Sequence, residues 1–210
     1  MKLQGLYAIT PERVGAAALE AQVRAALAGG IAALQYRRKA LASAAEARSL
    51  AALCRASGVP FIVNDDVELA LAVNADGVHI GGDDGDAAAA RSRIKGKLLG
   101  VSCYNSLDAA RAAVANGADY IAFGSVFPSP TKPGAMRAPL SLFAEARSKK
   151  GGVPPSVPLV AIGGITLENA PQLIAAGATA LAVITDLFAA KDIAARARAY
   201  GKLFAHEIAQ

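Results

Sequence analysis

Aromatic residues make up 5% of this 210-residue chain, cysteine and histidine occur twice each, and no apolar run approaches the roughly 20 residues needed to span a bilayer. Each scarcity excludes something. The net charge of +5 and the isoelectric point near 9.4 raise the question of nucleic acid. The cations (Arg24, Arg48, Arg55, Arg91, Arg93 and Arg111 among them) are scattered along segments of helical period with few aromatics between them. A solvated basic surface, or a basic pocket for an acidic substrate, is therefore expected, with no nucleic-acid partner. Cys54 and Cys103 stand too far apart for a metal or disulfide framework, which makes a reducing cytoplasm the simplest compartment. The N-terminus runs straight into a strand-like segment without a cleavable apolar region, so neither a leader nor a membrane partner is expected. The hydrophobic content of 54% owes much to alanine.

What the chain does contain is a recurring unit: a short Val/Ile/Leu-rich run followed by a longer Ala-rich amphipathic segment. The runs fall at residues 6–10, 33–37, 61–64, 77–80, 98–103, 120–124, 159–163 and 180–184. Helices are expected over 14–28, 43–56, 67–73, 86–94, from Ser106 to about 116, from about Leu140, and from about Asp192. The runs are continuous, not alternating, as in parallel strands buried on both faces. Eight such units fit an α/β chain folded as a (β/α)8 TIM barrel, and no composition break divides residues 1–210, so one catalytic domain is expected. A doubly wound sheet would bring a Gly-x-Gly-x-x-Gly turn after the first strand, and none is present.

Chemistry in such a barrel sits at the C-terminal ends of the strands, and unusual polar residues collect there. The second strand runs into Gln35, Tyr36, Arg37, Arg38 and Lys39. Alternation puts Gln35, Arg37 and Lys39 on one face, an amide and two cations suited to a polyanion. The third strand ends in Asn64, Asp65 and Asp66, and the fourth leads to His79, Gly81, Gly82, Asp83 and Asp84. Taken singly, these acidic residues are helix caps; taken with the neighbouring cations, they fit a magnesium–diphosphate site. Ser102 and Cys103 end the fifth strand, but no histidine is placed by motif to activate either. Cys103 is expected as a buried filler, His79 as a structural hydrogen-bonder and His206 as exposed and silent. Gly163, Gly164, Ile184 and Thr185 end the last two strands, where barrels bind phosphate through backbone N–H groups. Between these two anion sites lies the loop 124–135, stiffened by three prolines and carrying Ser129, Thr131 and Lys132.

The stretches Leu6-Tyr7-Ala8-Ile9-Thr10-Pro11, Gln35-Tyr36-Arg37-Arg38-Lys39, Val63-Asn64-Asp65-Asp66, Ala75-Asp76-Gly77-Val78-His79-Ile80-Gly81 with Asp84, and Gly100-Val101-Ser102 come in one order. Ala118-Asp119-Tyr120, Phe127-Pro128-Ser129-Pro130-Thr131-Lys132 and Ala161-Ile162-Gly163-Gly164-Ile165 complete it. Together they cover nearly the whole chain and resemble the thiamine-phosphate synthase (thiamine-phosphate pyrophosphorylase) family. The resemblance implies condensation of a hydroxymethylpyrimidine diphosphate with a hydroxyethylthiazole phosphate, releasing diphosphate. It implies that Gln35, Arg37, Lys39, Asn64, Ser102 and Lys132 hold the pyrimidine diphosphate. By the same resemblance Asp65 and Asp84 bind Mg2+, and Ser129, Thr131, Gly164, Ile184 and Thr185 hold the thiazole phosphate. Tyr36, Arg38 and Pro130, inside the same stretches, are counted with the substrate-binding residues. Arg37, Lys39, Ser102 and Lys132 are the expected catalytic groups. Such a reaction needs charge neutralised on a leaving diphosphate, so the lack of a nucleophile or base fits it.

Three positions depart from the family pattern: Gly82 where glutamine is frequent, Tyr104 where many members carry histidine, and Ser129 where threonine is common. The alternatives are a thiazole tautomerase-like relative, which relies on a histidine where Tyr104 stands, and a non-catalytic sensor of thiamine intermediates, which could dispense with the magnesium carboxylates. Small-molecule substrates and a possible homo-oligomer complete the expectations.

Overall fold

Short apolar runs of four to seven residues leave no room for helical periodicity, and all eight form strands in a computed structural model that describes residues 3–39, 42–81, 86–128 and 136–205. The order is β1 (Gly5–Ile9), α1 (Ala16–Ala28), β2 (Ala33–Tyr36), α2 (Ala44–Ala56), β3 (Phe61–Asn64), α3 (Val67–Ala72), β4 (Gly77–Ile80) and α4 (Ala87–Arg93). It continues with β5 (Leu98–Tyr104), α5 (Leu107–Ala115), β6 (Tyr120–Phe123), α6 (Ser141–Arg147), β7 (Leu159–Ile162), α7 (Ala170–Ala175), β8 (Ala180–Val183), α8 (Thr185–Phe188) and α9 (Ile193–Ala205). Each strand pairs in parallel with the next, and β8 pairs with β1, closing the barrel. Only α7 and α8 add to the expected helices; at six and four residues they are too short to show an amphipathic period.

The caps follow from local sequence. Ser106 accepts from the Ala109 N–H at 3.1 Å, and Asp66 and Asp86 start α3 and α4 by accepting from Leu69 N and Ala88 N at 2.8 Å. Of the acidic residues read as caps, Asp66 is one; Asp86 caps α4 as well, and Asp83 and Asp84 lie outside the described residues.

Alternation divides the apolar residues into two cores. Tyr7, Ile9, Ala33, Ile62, Tyr120, Ala122, Val160, Ala180 and Ala182 fill the inside of the barrel. Leu6, Ala8, Leu34, Tyr36, Phe61, Val63 and their counterparts face the helices. This division corrects two site expectations. Tyr36 and Arg38 point outward from β2, into the layer covered by α2. The Tyr36 hydroxyl donates to Glu46 Oε1 at 2.9 Å, and the Arg38 guanidinium makes a two-pronged contact with the Glu46 carboxylate at 2.9 and 2.8 Å. The Arg38 and Glu46 side chains are 3% and 9% exposed. Neither Tyr36 nor Arg38 reaches the mouth of the barrel; a strand cannot turn consecutive side chains to the same face.

Burial opposes ionisation of Glu46, but hydrogen bonds from Arg38 and Tyr36 and the Arg38 charge outweigh it and hold the carboxyl below its usual range. Replacing Glu46 leaves a guanidinium buried without its counter-charge, so Glu46→Gln should cost about 3 kcal/mol of stability at pH 7. The folded carboxyl titrates below the unfolded one. The parent's advantage should therefore be complete above the usual value of 4.5 and should vanish as pH falls through the folded value. Urea denaturation of both proteins from pH 7 to pH 3 measures this, and an equal gap at every pH would refute it.

Candidate active site

At the C-terminal ends of the strands opens a cavity of about 570 Å³, within the range of small-molecule sites. Its wall over β2 to β4 carries Gln35, Arg37, Lys39, Asn64 and Asp65, and Ser102 of β5 stands beside them. The expected sharing of a face by Gln35, Arg37 and Lys39 is what alternation produces here. Both cations have carboxylate partners. Arg37 Nη1 donates to Glu12 Oε2 at 2.8 Å, and Lys39 Nζ lies 3.4 Å from Asp65 Oδ2. The backbone of Arg37 is tied to β1 through Thr10, whose Oγ1 accepts from Arg37 N at 2.9 Å and donates to Arg37 O at 3.2 Å. Thr10 is fully buried, so this tie fixes where the clamp begins.

Asp65 sits at φ 62°, a left-handed conformation that turns its side chain out of the strand direction. Its Oδ2 accepts from Asn64 Nδ2 at 2.6 Å, and its N–H donates to His79 O at 2.8 Å. One partly exposed carboxylate at a cavity lip, beside cations suited to phosphate, is a donor set that fits magnesium, which takes few protein ligands and completes its octahedron with phosphate and water oxygens. Among the described residues no group of three or more His, Cys, Asp or Glu gathers for a metal. Asp84, the expected second carboxylate, and Gly82 lie outside the described residues. Ser129, Pro130, Thr131, Lys132 and His206 do so as well.

On the opposite side of the ring the cavity is bounded by Gly163, Gly164, Ile165, Thr166, Ile184, Thr185 and Asp186. Gly164 has φ 62°, and a Cβ there would strike Pro128 O and Phe127, so only glycine lets the two loops meet. The loop after β6 is held on the end of β7 by Val126 N donating to Ile162 O and Phe127 N to Gly163 O, each at 3.0 Å. Asn169 braces the turn by donating to Gly164 O at 3.0 Å and accepting from Thr166 N at 2.9 Å. The N–H groups of Gly164, Ile184 and Thr185 donate to no acceptor among the described residues. Asp186 is engaged behind them by Tyr200 at 2.7 Å and Arg196 at 3.2 Å.

Under the cavity the barrel interior contains a polar chain. Gln35 Nε2 donates to the Tyr7 hydroxyl at 3.0 Å, and the Tyr7 and Tyr120 hydroxyls are 2.8 Å apart. The Tyr120 hydroxyl lies 3.1 Å from His79 Nδ1, and His79 Nε2 lies 2.9 Å from Ser102 Oγ. Burial raises both phenol pKa values and lowers that of His79 to about 4, so the imidazole is neutral at pH 7. Gly100 is in register with His79 on one side and Tyr120 on the other, and a Cβ there would strike the Tyr120 phenol. That missing side chain lets the two rings meet across β5.

His79 is thus the structural hydrogen-bonder expected, and Cys103 is buried with its thiol pushed up to about 12 by burial. Missing from the sequence reading were Glu12, Tyr7 and Tyr120. Glu12 sits in a loop with no pattern. The tyrosines read as ordinary strand aromatics, and the available signal was their inward phase, shared with Gln35 and opposite Gly100.

Residues 6–187 match the family model described as thiamine monophosphate synthase. The chain is 56% identical over 207 residues to the thiamine-phosphate synthase of Aromatoleum aromaticum, covering 97% of each chain. To that of an Azoarcus species it is 54% identical over 208 residues, covering 97% of this chain and 98% of the relative. Among solved structures, thiamine phosphate pyrophosphorylase from Pyrococcus furiosus superposes with a TM-score of 0.83 at 32% identity, covering 98% of this chain and 97% of that one. A 3-hexulose-6-phosphate synthase superposes at 0.71 with 20% identity, over 95% of this chain and 99% of its own, a likeness of fold alone. Fold is therefore shared across chemistries, while full-length similarity at these identities is not, and the chain belongs to the thiamine monophosphate synthase family.

Proposed function

We propose that this transferase joins 4-amino-2-methyl-5-(diphosphooxymethyl)pyrimidine to 4-methyl-5-(2-phosphooxyethyl)thiazole, forming thiamine phosphate and releasing diphosphate, in one catalytic domain of cytoplasmic location. The observation that carries the reading is a single cavity with cations and a carboxylate on one wall and unengaged backbone N–H groups on the other. Two anionic molecules can lie across it with their reactive ends toward the middle.

In the reaction the methylene C–O bond breaks and diphosphate leaves with the electron pair. The thiazole nitrogen lone pair then forms the new C–N bond, so no proton need move. Arg37, Lys39 and Lys132 neutralise charge growing on the departing oxygens, where fixed cations cost no reorganisation. Asn64 and Ser102 donate hydrogen bonds to the same substrate, and Gln35 orients its ring. Asp65 and Asp84 would hold magnesium, which when bound supplies further neutralisation of the diphosphate. Gly164, Ile184 and Thr185, with Ser129 and Thr131, hold the thiazole phosphate in line. Ile9, Ala122, Ile162 and Ala182 supply an apolar floor that keeps water from an electron-deficient methylene.

Purified protein with both substrates and magnesium should yield thiamine phosphate, and chelation should stop product formation; absence of product with metal present would remove the proposal. Arg37→Ala and Asp65→Ala should each lower the single-turnover rate by about 10²-fold or more with the fold intact by circular dichroism. Gly164→Ala should act on the other partner. Displacement of the loop carrying Phe127 and Pro128 should raise KM for the thiazole phosphate about tenfold or more while KM for the pyrimidine changes little. A reversed pattern of KM values would misassign the two walls.

A further inference from the structure

The buried chain from Gln35 to Ser102 has Gln35, His79 and Ser102 in the cavity wall and its two phenols in the barrel interior. Among the described residues neither phenol has another hydrogen-bond partner outside this chain. With the Gln35 amide donating through Nε2, counting protons leaves one arrangement. Tyr7 already accepts from Gln35 Nε2, so its own proton must go to the Tyr120 oxygen. The Tyr120 proton must in turn go to His79 Nδ1, which places the imidazole proton on Nε2, donating to Ser102 Oγ. With Gln35 donating, any other assignment, including a charged imidazole, strands a phenol O–H in the interior without an acceptor. Two consequences reach the cavity. Gln35 presents its Oε1 as an acceptor, and Ser102, already accepting, has its hydroxyl proton free to donate.

The sense of this wire is shared by its ends. Turning the Gln35 amide over would require every proton in the chain to move, His79 to change tautomer and Ser102 to spend its proton inward on Nε2. An anion resting against Ser102 opposes that reversal, because a hydroxyl facing an anion must donate. We propose that Tyr7, Tyr120 and His79 are positioning residues that couple anion binding at Ser102 to a fixed acceptor at Gln35, and so make the enzyme select an exocyclic amine over a carbonyl on the substrate ring. The substrate half of this statement rests on the proposed pyrimidine reaction; the proton order of the wire does not. A 4-oxo ring would set its carbonyl against Gln35 Oε1, with no proton between them. Hydrogen-bonding sites reject such mismatches far more strongly than apolar pockets reject a change of size.

The test has two independent arms. The chain has two histidines, so in protein labelled with 15N-histidine the His79 signals are assigned by comparison with His206→Gln. At neutral pH Nδ1 should appear unprotonated and Nε2 protonated, and in Tyr120→Phe both should move toward the averaged values of a tautomer mixture. An Nδ1–H tautomer in the parent, or signals unmoved by Tyr120→Phe, would overturn the wire. In the second arm kcat/KM is measured with the 4-amino pyrimidine diphosphate and its 4-oxo analogue for the parent, Tyr120→Phe and Tyr7→Phe. The preference for the amine should fall about tenfold or more in both variants. Equal slowing of both substrates would mean a structural role only and would overturn the proposal. A parent inactive with the amine would instead refute the proposed reaction, while the tautomer result would still decide the wire.

Discussion

Along a strand, consecutive side chains leave on opposite faces, and in a closed ring of eight strands one face has nowhere to go but the barrel interior. Everything at the mouth of this barrel depends on that restriction. Arg37 and Arg38 are neighbours in sequence with opposite surroundings: one meets Glu12 at the cavity, the other is closed in under α2 against Glu46. The same restriction gives the chain two separate apolar cores, one inside the ring and one beneath the helices. Changes to the outer core act on stability, whereas the top layer of the inner core is also the floor of the cavity.

That inner layer is unusual in holding five polar side chains among small apolar ones. Such a group is tolerable in a low-dielectric interior only when its donors and acceptors are all used, and half-satisfied networks are worse than hydrocarbon. The geometry meets this condition by removing a side chain. Gly100 leaves the space through which the Tyr120 phenol reaches His79, with edge-to-face contact to Tyr7 at 5.9 Å and stacking on His79 at 5.6 Å fixing the rings. Rigidity at the floor therefore comes from packing as well as from hydrogen bonds.

The strand pattern was legible because parallel strands buried on both faces need continuous Val, Ile and Leu, and all eight differ from their expected bounds by no more than one residue at either end. The clamp was legible because its cations follow one strand in phase. Its carboxylate partners were not: Glu12 lies in a loop on another element, and Asp65 reaches Lys39 through a positive φ that its residue type does not announce. Tyr36 and Arg38 belong to the same motif as Gln35 and Arg37, so similarity of sequence groups them, while alternation separates them. Tyr7 and Tyr120 stayed hidden because a phenol on a buried strand looks apolar until its hydroxyl is seen to meet another.

The ion pairs at the mouth have a consequence for what can enter. With Arg37 facing Glu12 and Lys39 facing Asp65, the ligand-free wall has each of these cations locally balanced, so a passing chloride or monovalent phosphate meets little uncompensated field. An anion gains there only by outbidding a carboxylate already held in place, and that requires more than one negative charge concentrated over a short span. A ligand anion at this wall therefore enters by exchange, taking the place of a carboxylate at Arg37 or Lys39.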